Sequence, residues 1–92
     1  MNDNNLDAFL KKMDFMKLGR AISEENWQIA MMTVTRLGNE AKKEEIDIFD
    51  KYFAQIRQCI IAKNKIQGLN VMSLITAKRV SLINNYKSLA EK

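Results

Sequence analysis

Histidine is absent from the 92-residue chain. This absence removes Ser-His and Cys-His activation of a nucleophile, the usual general base near neutral pH, and nearly all mixed-ligand zinc and di-iron sites. Proline is also absent, and the three glycines, Gly19, Gly38 and Gly68, do not stand in a phosphate-binding GxGxxG or GxxxxGK[ST] pattern. We therefore expect neither an enzyme nor a chain that holds a cofactor or a metal.

Cysteine occurs once, so Cys59 has no partner within the chain for a disulfide. It lies among Ile56, Ile60 and Ile61, where a small buried thiol is common. No basic residue or helix start is placed to lower its pKa, which favours a core residue over a reactive thiol.

Long apolar runs are missing too, and none approaches the roughly 18 residues that cross a bilayer. The first six residues lack a basic stretch followed by an apolar one, so nothing in them marks the chain for secretion. We expect a soluble, cytoplasmic protein without membrane contact. Its length and its 47% hydrophobic and 28% charged residues are typical of one globular domain, residues 1–92.

Helix-forming residues run through the chain, so helix boundaries must come from caps and from changes in apolar phase. Breaks near residues 23–26, 42–45 and 63–65 predict four helices. The predicted helices span about 4–22, 24–42, 45–62 and 65–90. Apolar residues at spacings of three and four give each a buried face, and short connections make sequential helices antiparallel. The sequence thus predicts an all-α, antiparallel up-down-up-down four-helix bundle with a long C-terminal helix.

The predicted boundaries carry polar residues that suit helix ends. Ser23 is a natural N-cap for the second helix, and Asn64 can take a left-handed or capping conformation before the fourth. We interpret the acidic clusters as helix-start residues that favour the helix dipole, rather than as general acid-base pairs. These clusters are Glu24, Glu25, Glu44, Glu45, Asp47 and Asp50.

An offset of 38 residues aligns the two halves of the chain, with Ile22 on Ile60 and Asn26 on Asn64. The identities are few, but the pattern is that of two helix–turn–helix units. Two stacked helix-hairpin repeats are therefore the competing architecture. Because two repeats without polar caps would leave a large apolar face bare, the bundle is favoured.

The formal net charge of +4 is unevenly distributed. Residues 1–50 carry seven Lys/Arg and ten Asp/Glu, whereas residues 51–92 carry eight Lys/Arg and one Glu. Either antiparallel helices from the two halves attract each other across the bundle, or a basic surface faces an anionic partner. Nucleic acid is disfavoured as that partner, because neither exposed aromatics nor a recognition helix is evident.

The predicted fourth helix has about 26 residues and spans about 39 Å, against about 27 Å for the second and third helices. Its last turns should overhang the bundle. Either the first helix covers this apolar overhang within one chain, or the overhang forms a dimer seam or binds a partner protein. The predicted partner-binding residues there are Lys78, Arg79, Leu82, Ile83, Tyr86 and Leu89.

Residues 27–41 of the second helix resemble the corresponding helix of histidine-containing phosphotransfer domains, whose pattern is His-x-Leu-Lys-Gly followed by a small residue. Leu37 and Ala41 match that pattern, Thr35 stands where the histidine belongs, and Gly38-Asn39 replace Lys-Gly. The resemblance implies a four-helix bundle that binds a receiver or kinase domain.

The likeness extends over about residues 18–80, but a threonine hydroxyl cannot form the phosphoramidate that makes phosphoryl relay reversible. It therefore implies a pseudo-phosphotransfer domain at most. We predict a non-catalytic protein-interaction or regulatory module. The alternatives are a structural homodimer or larger homo-oligomer without a separate partner, and weak nucleic-acid binding through the basic C-terminal half.

Overall fold

The structure, a computed structural model, describes the backbone of residues 8–10 and 15–90 and the side chains of that range up to residue 84. Helix α1 spans Phe15–Ser23, α2 Trp27–Lys43, α3 Asp50–Ala62 and α4 Lys65–Ala90. Residues 8–10 are also helical, and no strand occurs within these described ranges. The prediction of an all-α chain with a long C-terminal helix is confirmed.

Each of the four helices packs against two others: α1 and α3 both contact α2 and α4. The turns at 24–26, 44–49 and 63–64 are short, so consecutive helices run antiparallel. α1 and α4 are antiparallel as well, since Gly19 lies beside Met72 and Ile22 beside Gly68. This closed ring of antiparallel neighbours is the predicted four-helix bundle.

The core is built from the apolar faces that the spacings of three and four predict. At its centre the ring of Phe49 lies 5.6 Å from that of Phe15, 6.0 Å from Phe53 and 6.2 Å from Phe9, measured between centroids. The largest side chains that are fully buried around these rings are Leu10, Leu18, Ile22, Val34, Leu37, Ile46, Ile56 and Ile75.

All three interhelical turns end the preceding helix in the same way. A left-handed residue follows each helix: Glu25 with φ 57°, Glu45 with φ 59° and Lys63 with φ 54°. After α1, the N–H of the next residue donates to the carbonyl of Ala21 at 2.8 Å, and the N–H of Glu25 donates to that of Ile22 at 3.0 Å. The same pair of bonds recurs after α2 and α3, so each turn is a Schellman motif that satisfies the last carbonyls of its helix.

Asparagine caps the helix that follows the first and third turns. Oδ1 of Asn26 accepts from the N–H of Ile29 at 3.3 Å, and Oδ1 of Asn64 accepts from the N–H of Gln67 at 3.1 Å. The two asparagines are 38 residues apart, which is the offset that aligns the halves of the sequence. The bundle thus consists of two helix hairpins, α1–α2 and α3–α4, that share one turn geometry.

Two predicted helix starts are wrong. Ser23 is the last residue of α1 and does not cap α2, which begins at Trp27 after its cap Asn26. The third helix begins at Asp50 instead of residue 45, because Glu45 is left-handed and ends the turn after α2.

The acidic clusters consequently lie at other places than predicted. Residues 24–25 and 44–45 follow the C-termini of α1 and α2, and only Asp50 lies in the first turn of a described helix. The basic residues Lys42 and Lys43 do lie in the last turn of α2, where they favour the helix dipole.

Candidate interaction surface

The predicted partner-binding residues on α4 do not form a free overhang where their side chains are described. Leu82 and Ile83 are half-buried and pack against the core. Lys78 and Arg79 are half-buried as well, and Nε of Arg79 donates to the carbonyl of Leu10 at 3.1 Å. This bond joins residues 8–10 to α4 and agrees with the alternative in which the chain itself covers this part of the helix.

The side chains of the two remaining predicted residues, Tyr86 and Leu89, lie outside the described part of the chain. The backbone at both positions is helical and belongs to α4. Their role as partner-binding residues stays a prediction.

Helix α4 carries apolar side chains on two opposite faces. Val71, Met72 and Ile75 are buried on the inner face. On the outward side, Ile66 is 76% exposed, Leu74 53% and Val80 46%. A helix on the surface of a bundle normally presents polar and charged side chains outward, so these exposed apolar side chains form a second apolar face.

A stripe of exposed residues runs along the middle of this outward side, and we call it the α4 outer face. Its members are Ile66, Asn70, Ser73, Ala77, Val80 and Asn84. Between residues 66 and 84 the only charged residues of the helix are Lys78 and Arg79, and both are half-buried at its flanks. The α4 outer face therefore contains no charge, in a protein of net charge +4.

An open groove of about 680 Å³ lies between α1 and α4, beside the α4 outer face. Gly19 lies on one wall, and Ser73, Thr76 and Ala77 lie on the other, so short side chains leave space between the two helices. Met16 borders the groove and is 78% exposed. The groove and the α4 outer face share Ser73 and Ala77 and form one continuous surface.

The other pair of helices shows why this groove is open. With the offset of 38 residues, Gly19 corresponds to Arg57, and Thr76 corresponds to Gly38. Nη2 of Arg57 lies 2.9 Å from the position of a β-carbon on Gly38. The Arg57 side chain thus occupies, between α3 and α2, the space that Gly19 leaves empty between α1 and α4.

A second, shallower groove of about 460 Å³ lies along the outward side of α2. Thr35 is exposed there, so the position that corresponds to the phosphotransfer histidine is accessible. The side chains that line the groove are Met31, Met32, Thr35, Arg36, Asn39 and Glu40.

The polar groups buried in the described core have partners and are not poised for chemistry. Thr33, which is 3% exposed, donates its hydroxyl to the carbonyl of Ile29 at 2.7 Å. Cys59 is buried, and burial raises the pKa of its thiol above the ordinary value. The prediction that Cys59 is a core residue is confirmed.

Groups of three or more side chains that could bind a metal do not occur among the described residues. Within the same part of the chain, no helix has both the length and the apolar character to cross a membrane. The chain matches no model of a known protein family, no curated protein and no solved structure.

The sequence analysis missed Met16, Gly19, Ile66, Leu74 and Val80 as candidate contact residues. A signal for the last three was present in the sequence. Residues 66–77 contain no charged residue, and apolar residues recur there in two helical phases instead of one.

Proposed function

We propose that this chain is a non-catalytic protein-interaction module that acts in the cytoplasm through the outer side of the α1–α4 pair. The observation that carries the proposal is the uncharged α4 outer face with its exposed Ile66 and Val80 and the neighbouring Leu74. Contiguous exposed apolar surface is typical of protein-binding sites. Charged residues are depleted at the centre of such interfaces, as they are on this face.

The groove adds a place for a single anchoring side chain. Interfaces draw most of their binding energy from a few side chains that fill pockets near the centre. The groove lies between Gly19 and Ala77, and Met16 at its edge can adapt to a partner because its side chain is flexible. Arg79 lines one end and supplies a positive charge beside an otherwise neutral surface.

Site-specific photo-crosslinking in cells that express the full chain tests this proposal. A photoreactive amino acid at Leu74 lies on the outward side of α4, and one at Gln55 lies on the exposed side of α3 and serves as the matched control. We expect Leu74 to capture a defined protein that Gln55 does not capture. Adding Val80→Glu should reduce that capture at least tenfold, because it places a charge on the apolar face.

Equal capture from both positions, or capture that Val80→Glu leaves unchanged, would contradict the proposal. Circular dichroism melts of each variant show whether the bundle stays folded. Since Val80 is 46% exposed, its replacement is expected to leave the fold intact.

A second candidate function is a pseudo-phosphotransfer role, favoured by the exposure of Thr35 in the groove on α2. In this role the outward side of α2 would bind a receiver or kinase domain without accepting a phosphoryl group. Met31 and Met32 would supply apolar contact, while Arg36 and Glu40 would supply charged contacts around Thr35.

Titration of the isotope-labelled chain with purified receiver domains from the same organism tests this second candidate by NMR. We expect amide shifts confined to α2 around Thr35, weakened by Thr35→Arg but not by Gln58→Arg on the exposed side of α3. Incubation with a phosphorylated receiver should leave the chain unphosphorylated. Absence of shifts with every receiver, or phosphorylation of Thr35, would contradict this role.

A further inference from the structure

We propose that the α4 outer face binds the same face of a second copy of this chain, as an antiparallel α4–α4 pair centred on Ala77. This inference rests on the proposed function, because it uses the same surface and names its partner. A twofold axis through Ala77 would make the interface identical from both sides, which is the commonest arrangement of soluble homodimers.

The spacing of the α4 outer face is that of a helix–helix seam. Its six residues follow one another at intervals of four, three, four, three and four. This repeat of 3.5 residues keeps one stripe of a helix facing a partner helix along its whole length, whereas an unpartnered surface helix has no need of it. From Ile66 to Asn84 the seam is about 27 Å long, at about 1.5 Å per residue.

The polar residues of the seam are placed symmetrically. Asn70 and Asn84 each lie seven residues from Ala77, one on either side. In an antiparallel pair centred on Ala77, Asn70 of one copy lies opposite Asn84 of the other, and the two amides can exchange hydrogen bonds. A single polar residue in such a seam sets the alignment of the two helices, so two matched asparagines define one register.

Small residues between the asparagines allow the two helices to approach closely. Ser73 and Ala77 lie one helical turn apart at the centre, and Val80 follows on the same stripe. Larger apolar side chains flank the seam on both sides, namely Leu69 towards α1 and Leu74 towards α3. Their burial against the second copy would supply most of the apolar stabilisation.

The charge distribution also favours a second copy on this face. The chain has a net charge of +4, so two copies repel each other on most sides. Exposed cations lie on the outward sides of the other helices, for example Arg20 on α1, Arg36 on α2 and Lys51 on α3. The α4 outer face is free of charge, and antiparallel α4 helices bring opposite ends of their dipoles together.

Sedimentation equilibrium of the full chain from about 1 µM to 1 mM is the first test. A single helix pair makes a small interface, so we expect a reversible dimer with a dissociation constant on the order of 10 µM. Ala77→Glu, which places two like charges together at the twofold axis, should raise that constant at least tenfold. Ala54→Glu on the exposed side of α3 is the matched control and should leave it unchanged.

Disulfide trapping under mild oxidation tests the orientation. A mixture of Asn70→Cys and affinity-tagged Asn84→Cys should form the mixed disulfide, while each variant alone should stay reduced. Cross-linking of each variant with itself, and not with the other, would show a parallel pair and overturn the antiparallel register. The wild-type chain controls for Cys59, which is buried.

A wild-type chain that stays monomeric up to 1 mM, or a dimer that Ala77→Glu leaves intact, would overturn the inference. Such a result would not touch the proposed function, because photo-crosslinking from Leu74 reports on any partner. If that crosslink captures a different protein while sedimentation shows a monomer, the surface is an interaction site but its partner is not a second copy.

Discussion

The guanidinium of Arg57 lies directly over Gly38, with Nη2 2.9 Å from the position that a β-carbon on Gly38 would occupy. Arg57 comes from α3 and Gly38 from α2, so this contact spans the groove between the two helices. The next nearest side-chain atom outside Arg57, Cδ2 of Phe53, is 4.0 Å away. A methyl group at Gly38 would therefore meet only the end of one flexible side chain.

The first prediction concerns Gly38→Ala. We expect it to increase the free energy of unfolding by about 0.5–1 kcal/mol, because alanine is the better residue in the interior of a helix and Arg57 can move aside. Urea denaturation followed by circular dichroism measures the change. Repeating it in an Arg57→Ala background is the control: destabilisation that persists without the Arg57 side chain would contradict this explanation.

Gly68→Ala should have the opposite effect. A β-carbon on Gly68 would lie 3.1 Å from Cγ2 of Ile22 and 3.6 Å from Cβ of Cys59, both of them buried. Isoleucine is restricted at χ1, and overpacking a core costs about 1–3 kcal/mol, so we expect a net loss of about 1 kcal/mol. The measurement is again the free energy of unfolding in urea.

Gly19→Ala is the matched control for Gly68→Ala. Its β-carbon would lie 3.8 Å from Cε of Met72, an ordinary contact at the edge of an open groove. We therefore expect a gain of about 0.5–1 kcal/mol from helix propensity. If Gly68→Ala proved as stable as Gly19→Ala, the close approach of α4 to Ile22 would not limit the residue at position 68.

The helices and their buried faces could be predicted because apolar spacing is a local signal. Ile56 and Ile60, for instance, follow Phe53 at intervals of three and four and are buried as that spacing predicts. The start of α3 could not be predicted in this way. Glutamate disfavours the left-handed conformation, yet Glu45 adopts it, and Ile46 just after it is 1% exposed. Burial of that side chain in the core outweighs the local preference.

The candidate site was only partly predictable. The sequence analysis identified α4 as the helix of interest because of its length and its excess of apolar residues. It placed the contact surface near Leu82 and Ile83, which the structure shows packed against the core. The periodicity of α4 alone could not say which of its two apolar faces meets the bundle. That choice depends on the packing of α1, where Ile22 lies against Gly68 and fixes the rotation of α4.

The left-handed residues of the three turns give a third prediction. Lys63→Gly should increase the free energy of unfolding by about 1 kcal/mol, because a non-glycine residue in this conformation costs about 1–2 kcal/mol. Glu25→Gly and Glu45→Gly should behave alike, and the three gains should add because the turns are separate. Glu24→Gly, at a position without positive φ, should not stabilise. A Lys63→Gly chain no more stable than wild type would contradict this prediction.

The last prediction concerns Cys59. Burial raises the pKa of its thiol in the folded chain, whereas in the unfolded chain the pKa is about 8.5. The folded state therefore holds this proton more tightly. Its contribution to stability is complete below pH about 8.5 and is lost as pH rises through the folded-state pKa. The free energy of unfolding should accordingly fall more steeply between pH 8 and 10 in the wild type than in Cys59→Ala, where this thiol is missing. Comparing the two chains cancels the titration of lysine and tyrosine, so equal slopes would show that the Cys59 thiol is not shielded from water. Alkylation by iodoacetamide provides an independent measurement, because at pH 8 its rate should rise with urea in parallel with global unfolding.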